Sequence, residues 1–315
     1  MMKLRLALRL AALASIELVR PGIYGELFQG TAAFAATPAA PAAAAPFASD
    51  RITVTVTGQG PDVILIPGLA SSAHVWDATA AHISAHHRVH VIQVAGFATA
   101  PAGGNATGPV LEPVVDAIHA YIIANHLQGA AVIGHSLGGT MAMRLAIAHP
   151  GDAGKILIVD SLPYTGMMFG PQLTVPMVQP QATMLRDQMV NGTQEAYAAS
   201  EPTQMARLIK SHNADADAAI AAASASDHRV VGQAIYDALV TDLRPDLTKI
   251  AVPVTVLYPW DETSGAPQQV FDQLYTGAYK ALPQAKVERI DGSYHFIMID
   301  QPQAFQAKLD TFLAG

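Results

Sequence analysis

The turn Gly134-His135-Ser136-Leu137-Gly138 constrains this chain more than any other feature. An apolar run, Ala130 to Ile133, precedes it and reads as a buried strand. Thr140 to His149 follows and reads as a helix stopped by Pro150-Gly151. The stretch therefore matches the G-x-S-x-G nucleophile elbow in its proper setting, a sharp strand-to-helix turn. Such a turn strains the serine backbone, requires small residues on either side, and leaves the serine hydroxyl projecting above the sheet.

The chain around the turn alternates between strand and helix. Arg51 to Thr57 alternates in the manner of a strand, Gly58-Gln59-Gly60-Pro61 reads as a turn, and Asp62 to Ile66 is a second, continuously apolar strand. Helices are expected at Ala73 to Ser84 and Val110 to His126, with a strand at Val89 to Val94 between them. Past the elbow, strands are expected at Lys155 to Val159, Pro253 to Tyr258 and Lys286 to Ile290, and helices at Pro267 to Tyr275 and Pro302 to Leu313. Alternation with apolar strands implies an α/β fold, a mostly parallel twisted sheet with helices on both faces. From 162 to 246 the strand pattern disappears; this Met-rich, helical stretch reads as a cap inserted between the core segments 50–161 and 247–315.

The N-terminal region reads differently. Lys3, Arg5 and Arg9, the apolar stretch Leu10 to Ile16 and Ala33-Phe34-Ala35 give residues 1–36 the features of an export signal, too short and too charged for a permanent membrane anchor. Residues 37–49 are almost all Ala and Pro and read as a linker. A periplasmic or secreted location follows if the segment is a signal, a cytoplasmic one if it is not. With 25 acidic against 18 basic residues the chain has a formal charge of −7, which gives no support to nucleic-acid binding. It has no cysteine, which excludes thiolate catalysis and disulfides. His86, His87 and His90 lack a carboxylate in ligand register, so no metal is expected.

A serine hydroxyl needs an adjacent base, and the base needs a third group to orient it. In a sheet of this topology the partners follow as acid and then histidine. His295, just past the last expected strand, is the candidate base among 12 histidines. Asp261, directly after the strand ending at Tyr258, is the candidate acid, with Glu262 and Asp160 as rivals. Two backbone N–H groups should hold a developing oxyanion: Leu137, next to the serine, and Leu69, in the loop Ile66-Pro67-Gly68-Leu69. His135 is expected to pack. His74, Met167 and Met168 are candidates for a substrate pocket, the thioethers because they fit irregular apolar shapes.

Ile66-Pro67-Gly68-Leu69, Gly134 to Gly139, Trp260-Asp261 and Tyr294-His295-Phe296 occur in that order. Together they resemble the α/β-hydrolase superfamily in its version with a helical cap, from about Arg51 to the C-terminus. The resemblance implies a Ser136–His295–Asp261 triad, oxyanion donors at Leu69 and Leu137, and hydrolysis of an ester without a cofactor. The chain departs from many relatives at Val94-Ala95-Gly96-Phe97, where they carry Asp-x-x-Gly. The expected activity is serine-dependent cleavage of a small or medium apolar carboxylic ester through an acyl-enzyme. The same residues could instead act on a C–C or amide bond or in perhydrolysis, or the fold could serve as a non-catalytic binding module. A small-molecule ester is the expected partner; oligomeric state is not readable from the chain.

Overall fold

In the computed structural model, which describes residues 47–315, one sheet of seven strands runs through the molecule. The strands are β1 (Ile52–Thr57), β2 (Asp62–Ile66), β3 (Arg88–Val94), β4 (Ala130–His135), β5 (Ala153–Val159), β6 (Val254–Trp260) and β7 (Ala285–Asp291). Their spatial order is β1-β3-β2-β4-β5-β6-β7. Only the β1–β3 pair is antiparallel; the others are parallel. Val63, Ile64, Leu65 and Ile66 of β2, Val132 and Ile133 of β4 and Ile156 to Val159 of β5 are wholly buried, as continuous apolar runs in a sheet covered on both faces should be.

The covering helices are α1 (Asp77–Ile83), α2 (Leu111–Ala124), α3 (Leu137–Ala148), α8 (Gln268–Ala278) and α10 (Pro302–Ala314), with a single turn, α9 (Ile297–Asp300), before the last. The helix expected from Ala73 splits. Its first four residues form a 3-10 turn in which Ser72 accepts from the His74 N–H, and the α-helix starts only at Asp77. The expected signal segment and residues 37–46 of the linker lie outside the described residues. The folded part begins earlier than Asp50: the Phe47 ring packs edge-on against Tyr121, 5.0 Å between centroids.

Between β5 and β6 lie four helices, α4 (Val175–Val190), α5 (Gln194–Met205), α6 (Ala214–Ala225) and α7 (His228–Val240). They pack in pairs, α4 on α7 and α5 on α6. Ser226 and Asp237 are among the side chains that tie them to the core. Ser226 Oγ accepts from the Ala98 N–H at 2.7 Å and donates to the Ala70 carbonyl at 3.2 Å. Asp237 of α7 accepts from the Val110 and Leu111 N–H groups at 2.6 and 3.0 Å, supplying from outside the cap that the N-terminus of α2 lacks.

Candidate active site

β4 delivers Ser136 at its carboxyl end with φ 54° and ψ −121°, a left-handed conformation that a side-chain-bearing residue adopts only when its surroundings hold it there. The glycines make this turn possible. A Cβ on Gly134 would lie 2.1 Å from the Gly138 carbonyl oxygen, and one on Gly138 would lie 2.3 Å from that of Ile66. The backbone therefore closes on itself beneath the serine in a way no other residue permits.

Strand register decides what stands beside Ser136. His135 is paired with Val159, and the Ser136 N–H donates to the Val159 carbonyl at 2.9 Å. The residue that follows β5 is Asp160, level with the serine and one strand away. It too has a left-handed backbone, φ 46°, which an aspartate tolerates better than most residues. Its carboxylate is nearly buried. Oδ2 accepts from His295 Nδ1 at 2.5 Å, and Oδ1 accepts from the Tyr275 hydroxyl. Burial, reinforced by the Asp160 charge, pushes the Tyr275 phenol far above its ordinary pKa, so it stays a donor. Tyr258 stacks on Tyr275, 4.5 Å between ring centroids and 10° from parallel, and its own hydroxyl bonds to Asp272 at 2.8 Å.

The expectation that Asp261 orients His295 is corrected by this geometry. Val159 is paired with Leu257, so Tyr258 is level with Asp160. β6 continues to Trp260, which carries Asp261 three residues, about 10 Å of extended chain, past that level. There its carboxylate meets Lys210 Nζ of the cap at 2.5 Å and the Thr263 N–H at 2.9 Å, with the Thr263 hydroxyl as a third donor. Lys210, and then Thr263, hold Asp261 down at about 2. Glu262, the other rival, lies on the exposed side of the same turn.

His295 is seated on the elbow. Its ring lies 4.6 Å from that of His135, centroid to centroid, and its carbonyl is 3.1 Å from His135 Nε2. A carbonyl only accepts, so His135 carries its proton on Nε2. Burial, and then the proximity of His295, hold the His135 pKa well below 6.5, which keeps it neutral. His135 thus packs, as expected, and also fastens the backbone of His295, which follows β7, three strands away in the sheet. The remaining nitrogen, Nδ1, has no partner among the described residues and faces Gly68.

Leu137 is the first residue of α3, where a backbone N–H has no intrahelical acceptor. Leu69 follows Gly68, and Gly68 is so close to the elbow that a Cβ there would stand 3.0 Å from Ser136 Cβ. Both expected donors are thus on segments that flank the serine. The pocket residues fare differently. His74 is corrected: its side chain is 79% exposed and bonds to Asp77 at 2.9 Å, an i,i+3 partner on the first turn of α1. Met167 is buried in the core, whereas Met168 is 67% exposed and forms no enclosed wall. Tyr275 was not foreseen. A tyrosine inside a helix has no motif around it, and only the register of α8 over the sheet brings it to Asp160.

The fold and this cluster define an α/β enzyme with a serine elbow. The model of the alpha/beta hydrolase family matches residues 63–308, and the chain belongs to that family. It is a hydrolase. Among curated relatives it is 29% identical over 268 residues to the pimeloyl-acyl-carrier-protein methyl ester esterase of Vibrio cholerae serotype O1, covering 82% of this chain and 96% of that one. Among solved structures it resembles the enol-lactonase of Burkholderia xenovorans LB400 (18% identity, TM-score 0.66, 84% of this chain and 96% of that one). It also resembles a thermophilic esterase of Thermogutta terrifontis (17% identity, TM-score 0.69, 84% and 93%). At such identities the structural likeness bears on the fold.

Proposed function

We propose that the chain hydrolyses carboxylic esters through an acyl-enzyme on Ser136, with His295 as general base and Asp160 as the residue that orients it. The observation that carries this reading is the 2.5 Å contact between His295 Nδ1 and Asp160, made while the same histidine rests against the elbow. With Nδ1–H given to the carboxylate, Nε2 carries the lone pair that a base requires. His295 takes the proton of Ser136 as Oγ attacks the ester carbonyl, and the Leu69 and Leu137 N–H groups receive the oxyanion. His295 then protonates the departing alkoxide and activates the water that releases the acid.

The substrate reading is an ester of a small or medium apolar acid. The name of the curated relatives supports a carboxylic ester with a small alcohol, and the apolar residues of the cap support an apolar acyl group. We infer a periplasmic or secreted location from the N-terminal residues alone.

The test is labelling with a fluorophosphonate, together with turnover of methyl and p-nitrophenyl esters of graded acyl length. Purified protein should label on Ser136 and turn over the shorter esters. Absence of labelling under conditions in which a control serine hydrolase reacts would overturn the reading.

A further inference from the structure

Four residues past the strand end, the loop that carries His295 has few bonds of its own. Gly292 donates to the Trp260 carbonyl at 2.8 Å, and Gln301 Nε2 donates to the Gly292 carbonyl at 3.0 Å. The residue next to His295, Tyr294, gives its backbone N–H to Asp300 Oδ2 at 2.8 Å. Asp300 ends α9, the single turn that follows the histidine. The same carboxylate accepts two backbone N–H groups from the strap linking α5 to α6. Lys210 lies 3.0 and 3.1 Å from its two oxygens, and Ser211 lies 2.8 Å from Oδ1. The strap touches the histidine loop once more, where the Phe296 N–H donates to the Leu208 carbonyl at 3.3 Å. One side chain thus gathers donors from both sides of the site, the loop that presents the base and the cap segment above it.

We propose that Asp300 is a positioning residue for His295 and that it couples the cap strap at Lys210-Ser211 to the histidine loop. This inference rests on the reading of His295 as general base. A charged acceptor bonded to backbone N–H groups is stronger than a neutral one, and three such donors leave the carboxylate little freedom. Fixing Tyr294 fixes the φ of the residue that precedes His295, and therefore the height at which the imidazole is presented beside the elbow. Lys210 Nζ adds a separate fastening through Asp261, and Asp261 reaches Tyr294 a second time through Thr263, whose hydroxyl lies 2.7 Å from the Tyr294 hydroxyl. The Asp300 carboxylate bonds to backbone N–H groups, so it acts through the backbone.

The experiment compares Asp300→Asn and Asp300→Glu with the parent enzyme. An amide retains one acceptor and turns its NH2 toward an N–H, so Asp300→Asn should lower kcat about 10- to 100-fold, the scale of a small misplacement of a reacting group, with KM changed less than about two-fold. The rate of fluorophosphonate labelling at Ser136 should fall with it. The far-downfield proton resonance of His295 Nδ1–H, held by Asp160, should shift or broaden in Asp300→Asn and return in part in Asp300→Glu. Wild-type kcat, labelling rate and proton resonance in Asp300→Asn would overturn the proposal while the parent's own labelling keeps the serine reading intact. An unlabelled parent would instead remove the reading on which it rests.

Should Asp300→Asn fail to fold, amide exchange in the parent enzyme decides. If one carboxylate holds both segments, the Tyr294 and Ser211 amides open together and share one protection factor. Protection of Tyr294 that stays high while Lys210 and Ser211 exchange freely would overturn the coupling.

Discussion

His295 and Asp160 lie 135 residues apart in the chain, and their side chains meet at 2.5 Å. The contact exists because β5 ends level with β4: Val159 pairs with His135, so the residues that follow, Asp160 and Ser136, leave the sheet side by side. Replacing Asp160 by Asn should leave the imidazole free to adopt the wrong tautomer and lower kcat by about 10³- to 10⁴-fold. The equivalent change at Asp261, which faces Lys210 and Thr263, should lower kcat less than about ten-fold. Steady-state kinetics on a p-nitrophenyl ester separates the two; the larger loss at Asp261 would reverse the assignment of the acid.

Tyr275 supports the carboxylate from the side away from His295. Tyr275→Phe removes a buried hydroxyl donor and leaves Asp160 Oδ1 without it. Hydrogen bonds to charged groups contribute about 1.5–3 kcal/mol, so kcat should fall about ten-fold or somewhat more with little change in KM. An unchanged kcat would show that the imidazole is oriented without help from behind the carboxylate.

The strands and the elbow were legible because their residue types leave few alternatives. Val63 to Ile66 and Val132-Ile133 suit a strand buried on both faces, and Gly134 and Gly138 suit a turn in which backbone meets backbone. The acid was not legible for an equally physical reason. Asp160 and Asp261 each follow directly on an apolar strand, so in sequence they are equivalent. What separates them is that β6 runs three residues further than β5 at the level of the site, a matter of inter-strand register, together with a lysine from the cap that neutralises one of the two. His74 misled similarly: its position after the Gly68 loop suggested the pocket, but a 3-10 turn rotated it outward onto Asp77. Tyr275 acts through one contact across a long sequence separation, and Asp300 through backbone bonds to Tyr294 and to the distant Lys210 and Ser211, so neither leaves a local pattern.

Gly68, in the loop carrying Leu69, lies close against the elbow. A methyl group there would stand 2.9 Å from His135 Nδ1 and 3.0 Å from Ser136 Cβ. The His135 ring is fully buried against His295 and Phe296 and has nowhere to retreat, so the loop itself would have to move. Gly68→Ala should therefore displace the Leu69 N–H from the oxyanion and lower kcat by about 10²- to 10³-fold, the loss that follows removal of one such donor. KM should change little, since the donor acts on charge that develops only in the transition state. Fluorophosphonate labelling should slow in parallel, and circular dichroism should show an unaltered fold. A Gly68→Ala enzyme with parental kcat would mean that Leu69 does not serve the oxyanion.

Glu201 sets up a pH test of the cap. Along α5 the inward positions Tyr197, Glu201 and Met205 are one turn apart, and the tyrosine and methionine are both buried. Burial pushes the Glu201 carboxyl up to about 7 from its usual 4.5. A folded-state pKa above the unfolded one means that the folded protein favours the protonated acid. The carboxyl is therefore harmless below about 4.5, becomes progressively destabilising as pH rises from there to about 7, and is fully so above 7. Gln carries no charge at any of these values. Glu201→Gln should melt at the parental temperature at pH 4.5 and higher than the parent at pH 8. Because water still reaches part of the carboxyl, the gain at pH 8 should be about 1 kcal/mol rather than the full value implied by the shift, or about 2 °C in Tm. Thermal melts of both proteins at several values between pH 4.5 and 8 check it. An offset that stays constant across that range would place the Glu201 carboxyl in contact with solvent or with a cation instead of inside the cap.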